Sequence, residues 1–152
     1  MKLKGIIFDL DGTLCNADHR RHHVEGDYKK KDFETFYEKM HLDTPNMWCA
    51  NMVKLYYKAG YQIYFCTGRP EEYREKTTMW LFDHLKLLEG EYKLLMRHTG
   101  NYTDDRLVKV TMYTTVIEPE CDVELVIDDR SKVVKIWREL GLTCLQCYPG
   151  DF

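Results

Sequence analysis

The sequence predicts a doubly wound, Rossmann-like α/β fold: a parallel sheet of about five strands in the order 3-2-1-4-5, covered by helices on both faces. Three observations carry this expectation. Short apolar runs rich in β-branched and aromatic residues alternate along the chain with longer segments of helical periodicity. Three of those runs end in polar chemistry: Asp9 with Asp11, Thr67-Gly68-Arg69, and Asp128-Asp129. In open α/β sheets, ligands bind beyond the carboxyl ends of the strands. Finally, the 152 residues contain no repeat and no linker, so residues 1–152 are expected to form a single domain around one core.

The first strand is expected over residues 3–9, through Ile6-Ile7-Phe8. Residues 16–31 are charged and irregular, holding His19-Arg20-Arg21-His22-His23 and Lys29-Lys30-Lys31. The histidines lack a metal-ligand spacing, and the lysines suit a solvated face. Phe33, Phe36, Tyr37 and Met40 recur at helical spacing, which predicts a short amphipathic helix over 32–41. Residues 16–45 are therefore expected to form a small helical cap inserted after the first strand. Thr44-Pro45 has the form of a helix start, and Trp48, Met52, Leu55 and Tyr56 form the apolar face of a helix that Gly60 closes.

A second strand is expected over 61–66, broken by Thr67-Gly68-Arg69-Pro70, and a long helix over 71–88 with Trp80, Leu81, His84 and Leu85 on one side. A third strand follows over 92–96, then a loop at Gly100 and a helix from Asp104 to about residue 117. The fourth strand spans 123–127 and ends in Asp128-Asp129. A helix over 131–140 stops at Gly141, the fifth strand covers 143–148, and residues 149–152 form a tail.

Composition narrows the function. A formal net charge of −3 excludes a surface that grips nucleic acid all over, so any polyanion contact must be local. No apolar run approaches membrane-spanning length, and the amino terminus enters a strand directly, which together suggest a cytoplasmic protein. Cys15, Cys49, Cys66, Cys121, Cys144 and Cys147 have no disulfide-framework spacing. Cys144-Leu-Gln-Cys147 lies inside the fifth strand without a second such pair, so reduced, partly buried thiols are expected.

The chemistry concentrates at the strand ends. Asp9 and Asp11, two residues apart, would share a side if the strand stayed extended. Paired carboxylates repel and call for a hard divalent cation. Gly12 and Thr13 then offer backbone N–H groups and a hydroxyl to an anion. Adding Thr67-Gly68-Arg69, Lys109 and Asp128-Asp129 to the same rim points to chemistry on a phosphate.

These motifs together resemble the haloacid dehalogenase superfamily of phosphohydrolases: Asp9-Leu-Asp-Gly-Thr as the first motif, Thr67-Gly68-Arg69 as the second, Lys109 as the third, and Ile127-Asp128-Asp129 as the fourth. A narrower resemblance is to the 3′-phosphatase domains of bacteriophage-type polynucleotide kinases. It rests on Gly60-Tyr-Gln-Ile, on Asp105-x-x-x-Lys109, and on the last thirty residues from Asp122 through Trp137-Arg to Gly150-Asp-Phe. No G-x-x-x-x-G-K-[ST] is present, which excludes a P-loop phosphotransferase; a free-standing phosphatase domain is the expectation.

The resemblance implies a role for each residue. Asp9 would be the nucleophile, forming an aspartyl-phosphate that water then hydrolyses. Mg²⁺ would be held by Asp9, the Asp11 backbone carbonyl, and Asp128 or Asp129. The Asp11 side chain would act as general acid and base, with a pKa raised by three neighbouring carboxylates. Lys109 would neutralise transition-state charge, with Asp105 one helical turn earlier holding it in place. Gly12, Thr13, Thr67 and Gly68 would bind phosphoryl oxygens, and Arg20, Arg69 and Arg97 would contact substrate.

The expected substrates are 3′-phosphorylated DNA or RNA ends or nucleotides. A separate kinase or ligase is an implied partner, homodimer formation is left open, and the compartment is the host cytoplasm if the protein is phage-encoded. Two other readings stand beside this one. In one, the cap closes over a free nucleotide and the protein is a nucleoside monophosphatase or other small-molecule phosphatase. In the other, the fold binds a phosphorylated partner without catalysis.

Overall fold

The computed structural model describes residues 1–152, all but the side chain of Tyr28. In chain order, β1 spans Leu3–Phe8, β2 Cys15–Asn16, α1 Phe33–Glu38, β3 Thr44–Pro45 and α2 Met47–Lys58. There follow β4 at Gln62–Pro70, α3 at Arg74–Leu85, β5 at Lys93–Arg97 and α4 at Asp105–Met112. Beyond these lie α5 at Glu118–Glu120, β6 at Cys121–Asp128, α6 at Ser131–Glu139 and β7 at Cys144–Gln146.

The sheet has five parallel strands in the order β5-β4-β1-β6-β7, the doubly wound arrangement the sequence predicts. Strand residues alternate between two cores. Ile6, Phe8, Ile63 and Phe65 pack under α2 and α3 with Val53, Trp80, Leu81 and Leu85. Ile7, Tyr64, Cys66 and Val126 pack under α4 and α6 with Val108, Met112, Val133 and Trp137. Burial on both faces explains why the strands are apolar runs rather than alternating ones. All six cysteines are free thiols, five of them buried.

Several local expectations are corrected. Thr44-Pro45 is a short strand rather than a helix start: it pairs antiparallel with β2, Cys15 opposite Pro45 and Asn16 opposite Thr44. Asn46 precedes α2 instead, and its side chain is drawn away from capping to donate to the Thr13 carbonyl at 2.8 Å. On α2 the buried face is Cys49, Ala50 and Val53, while Trp48 and Leu55 lie exposed. Small residues at 49 and 50 let the helix sit close to the sheet, which turns the larger side chains outward. The helix after Gly100 changes to a wider π turn at Tyr113–Ile117 before α5.

The β2–β3 pair is a stem from which the segment between them leaves and returns. That segment holds a two-turn 3₁₀ helix at Asp18–His23 and a single turn at Tyr28–Lys30, then α1, then a turn at Met40–Leu42.

Candidate active site

The carboxyl ends of β1, β4 and β6 open into a cavity of about 1090 Å³. Nine residues singled out from the sequence line it: Asp9, Asp11, Thr67, Gly68, Arg97, Asp105, Lys109, Asp128 and Asp129. Residues far apart in sequence meet here because parallel strands all point their ends the same way.

Lys109 organises the floor. One turn into α4 and 2% exposed, its Nζ donates to Asp9 Oδ1 at 2.8 Å and to Asp128 Oδ2 at 2.9 Å. Burial works against its charge, but Asp128 and Asp9 outweigh that effect and hold the ammonium protonated, its pKa well above the ordinary lysine value. Asp9 shows the opposite balance. Burial and the charges of Asp128 and Asp129 push its carboxyl well above the usual range, against the pull of Lys109. The Thr13 hydroxyl donates to Asp9 Oδ2 at 3.1 Å. Asp128 is fixed from three sides: Oδ1 accepts from the Asp129 N–H at 2.9 Å, and Oδ2 accepts from Lys109 and from Trp137 Nε1 at 3.1 Å.

Asp129 is buried, and burial with the nearby Asp128 charge raises its pKa to about 6. Its Oδ2 has no hydrogen-bond partner. Oxygens of Asp9, Asp128 and Asp129 converge within 4.8 Å of one another, and no other such acidic, histidine or cysteine group occurs among the described residues. A lone buried carboxylate oxygen is costly, and an all-oxygen donor set suits a hard divalent cation. The residues present fit Mg²⁺.

Asp11 departs from expectation. Its side chain is not pressed among the other three carboxylates but lies between two guanidinium groups. Arg20 Nη2 donates to Oδ1 at 2.5 Å and Arg69 Nη2 to the same oxygen at 2.6 Å. Burial alone would raise its pKa, but the Arg69 and Arg20 charges overcome it and hold the carboxyl well below the usual range. The physical reason is the turn after β1. Thr13 and Cys15 N–H both donate to the Leu10 carbonyl, so the chain curls and the extended alternation of residues 9 and 11 is lost.

Arg20 and Arg69, which the resemblance offers as substrate contacts, are engaged here with Asp11 and Asp43. They are 0% and 1% exposed and lie outside the cavity lining. Arg20 makes a fork to Asp43, Nε to Oδ1 at 2.8 Å and Nη2 to Oδ2 at 2.5 Å, and its guanidinium lies 4.2 Å from the Phe36 ring centroid. Arg69 also donates to Thr77 Oγ1 at 3.2 Å. Asp43 is the acidic hub that sequence reasoning missed, since nothing in its spacing ties it to Arg20 or Arg69.

Thr13 is buried against Asp9 and likewise lies outside the cavity lining. The Gly12 N–H donates to the Cys15 carbonyl at 2.9 Å within the turn, so it is not directed at an anion. Gly12 is needed for space: φ is +85°, and a Cβ would stand 2.2 Å from Asp129 Oδ2. At Gly68 a Cβ would meet Asp105 Oδ1 at 2.5 Å. Asp105 does not hydrogen-bond Lys109; its oxygen accepts from Arg97 Nη2 at 3.2 Å and its charge reaches Lys109 only through space. Arg97 also donates from Nε to the Gly68 carbonyl at 3.0 Å, tying the end of β5 to the outer part of β4.

Two further residues of the site went unread in the sequence. Trp137, buried on α6, donates to Asp128. Gly150 rests on the chain beside the acidic pair: a Cβ there would stand 2.0 Å from the Asp129 carbonyl oxygen. The tail is held by Ser131 N–H donating to the Gly150 carbonyl at 2.8 Å and Arg130 Nε to the Phe152 carbonyl at 2.6 Å.

A doubly wound sheet with carboxylates at the ends of β1 and β6 and a lysine joining them defines a phosphatase of the haloacid dehalogenase type. The chain belongs to the polynucleotide kinase PNKP phosphatase domain family, whose model matches residues 3–152. Phosphatases of this type generally use Mg²⁺. Among solved structures, a chain of the Pnkp1/Rnl/Hen1 RNA repair complex is 32% identical with a TM-score of 0.84, covering 99% of this chain and 44% of that one. A protein of Autographa californica nuclear polyhedrosis virus, assigned as a bifunctional polynucleotide kinase/RNA ligase, is 26% identical over 142 residues, 91% of this chain and 18% of its own length. This chain thus spans less than half of either relative. A structure from Clostridium difficile assigned as a phosphatase is 15% identical with a TM-score of 0.63 and shows the shared fold. No helix among the described residues is long and apolar enough to cross a membrane.

Proposed function

We propose that this protein is a Mg²⁺-dependent phosphomonoesterase that removes 3′-phosphates from nucleic-acid ends or nucleotides, working through an aspartyl-phosphate on Asp9. The observation that carries the reading is the Lys109 bridge between Asp9 and Asp128 beside an unpartnered Asp129 oxygen. Asp9, Asp128 and Asp129 would hold Mg²⁺ with the Asp11 backbone carbonyl, and the cation supplies charge neutralisation to the phosphoryl group when bound.

In the first step an Asp9 oxygen attacks phosphorus while the bond to the leaving oxygen breaks. Lys109 stabilises the charge that develops on the transferred group, with Thr67 at the cavity wall as a further donor. The leaving oxygen takes a proton from Asp11, and in the second step Asp11 takes one back from the water that attacks phosphorus, which breaks the Asp9 oxygen–phosphorus bond and releases inorganic phosphate. Arg20 and Arg69 favour the carboxylate of Asp11, the form suited to the second step. Proton donation in the first step requires one of those contacts to give way.

Residues 16–45 serve as the cap, since Phe33, Phe36 and Tyr37 of that segment line the cavity. The relatives' kinase, ligase and RNA-repair descriptions support a role in end repair alongside a kinase or ligase.

The test measures phosphate release from 3′- and 5′-phosphorylated oligonucleotides, 3′-mononucleotides and p-nitrophenyl phosphate, with Mg²⁺ and with EDTA. Release from the 3′-phosphorylated oligonucleotide, lost in Asp9→Asn and in EDTA, is expected. Turnover of mononucleotides alone would overturn the polynucleotide assignment, and no turnover of any substrate would overturn the enzyme.

A further inference from the structure

We propose that Phe33 and Tyr37 of α1, with Tyr102 on the loop after β5, form a stacking subsite for the unpaired base of the substrate's 3′-terminal nucleotide. This inference rests on the phosphatase reading above and adds what the cavity recognises besides phosphate.

The aromatic wall starts at the phosphate end of the cavity. The Tyr37 hydroxyl lies 3.5 Å from the Gly68 carbonyl oxygen, in the outer part of β4 that carries Thr67. Phe33 is one helical turn back on the same face of α1, its ring 6.2 Å from that of Tyr37 with only 27° between the planes. Behind them Tyr73 lies 5.1 Å from Tyr37, so the wall is braced rather than loose. Its outer ring remains uncovered, with Phe33 42% exposed.

Tyr102 is 88% exposed, yet its loop is stapled: Arg97 Nη1 donates to the Asn101 carbonyl at 3.3 Å and to the Thr103 carbonyl. All three rings line the cavity that holds Asp9 and Lys109. Trp48 and Phe82 are similarly exposed but lie on α2 and α3, away from it.

Stacking, rather than charge, decides what these rings hold. The cavity lining mixes Glu34, Glu38 and Glu72 with Lys31, Lys76 and Arg130, and Lys76 is paired with Glu38 at 2.5 Å. Every base offers a neutral π face to an aromatic side chain, whatever the charges around it. A base paired in a duplex is already stacked on its neighbours, so the occupant is the single-stranded end of a polynucleotide.

The experiment compares kcat/KM on two 3′-phosphorylated hexanucleotides that differ only in an intact or abasic last residue, with p-nitrophenyl phosphate turnover measured alongside. Wild-type protein is expected to favour the intact substrate by about 5- to 150-fold, the factor that one base–aromatic stack supplies. Phe33→Ala or Tyr102→Ala should shrink that ratio toward unity, and Phe33→Trp should retain it. Equal rates on both hexanucleotides, or a ratio unchanged in both alanine variants, would overturn the subsite while leaving the 3′-phosphatase intact. Turnover of p-nitrophenyl phosphate with neither hexanucleotide cleaved would overturn the underlying reading as well.

Discussion

The indole Nε1–H of Trp137 donates to Asp128 Oδ2 at 3.1 Å, the same oxygen that accepts from Lys109. A fully buried tryptophan of α6 thus reaches through the core to orient a carboxylate of the site. Outer partners of this kind fix which way a metal-binding carboxylate turns. Trp137→Phe keeps a ring in the core and removes only the donor and part of the volume. Its expected cost is about 2 kcal/mol of stability, the scale of a hydrogen bond to a charged group. Mg²⁺ affinity or turnover should fall about 10- to 100-fold. Urea unfolding and Mg²⁺ titration of activity check both; an unchanged Mg²⁺ dependence would show that the indole merely packs.

Asp43 is the second test. Its carboxylate takes the Arg20 fork, and His19 Nε2 stands 2.7 Å from its Oδ1. Its carbonyl accepts from Trp80 Nε1 at 2.9 Å. Asp43→Ala strands two buried guanidinium groups with Asp11 as their only nearby carboxylate, which should cost about 3–5 kcal/mol. Asp43→Asn keeps the shape and should cost less. Denaturant midpoints decide: a loss below 1 kcal/mol for Asp43→Ala would mean that water replaces the carboxylate.

Metal removal should change the pH dependence of stability. Asp129 titrates at about 6 in the folded protein, above an unfolded value near 3.9, so its charged form is disfavoured by folding. Its contribution is present at low pH and lost as pH rises through about 6. Asp9 is raised too and acts in the same sense. Asp11 has the opposite sign: its folded pKa is depressed, so its contribution is present above the unfolded value and lost as pH falls further. Metal-free protein should therefore melt highest near pH 4, the unfolded carboxyl value, and lower at pH 7.5 or at pH 2. Mg²⁺ should raise Tm most at pH 7.5, by preferential binding to the folded state. Equal melting of EDTA-treated protein at pH 4 and 7.5 would contradict the raised carboxyls.

Gly12→Ala tests the packing of the first turn on the acidic pair. The left-handed backbone costs about 1 kcal/mol for a non-glycine residue, and the added methyl group must displace Asp129. Turnover should fall more steeply than stability, with a weakened Mg²⁺ dependence. A variant with wild-type kinetics and lowered Tm would separate backbone strain from any effect on Asp129.

Much of what lines the candidate site is legible in the sequence. Asp9, Thr67, Lys109, Asp128 and Asp129 are read from short motifs at the ends of predicted strands, and their convergence follows from strand direction alone. The sheet order was legible for the same reason: five apolar runs with intervening helices allow few arrangements. Less legible were Thr44-Pro45 and the buried face of α2, where local propensity yields to pairing with Cys15-Asn16 and to close approach on the sheet.

By itself, the sequence determined the doubly wound sheet and which strand ends carry carboxylates, because periodicity and connection rules act locally along the chain. Only the tertiary structure decided the partners of those carboxylates. The turn after β1 sends Asp11 toward Arg20 and Arg69, and Asp43 makes both arginines internal. Burial then sets the electrostatics. The same residue type is pushed up at Asp9 and Asp129 and held down at Asp11, according to which charges the fold brings within a few ångströms.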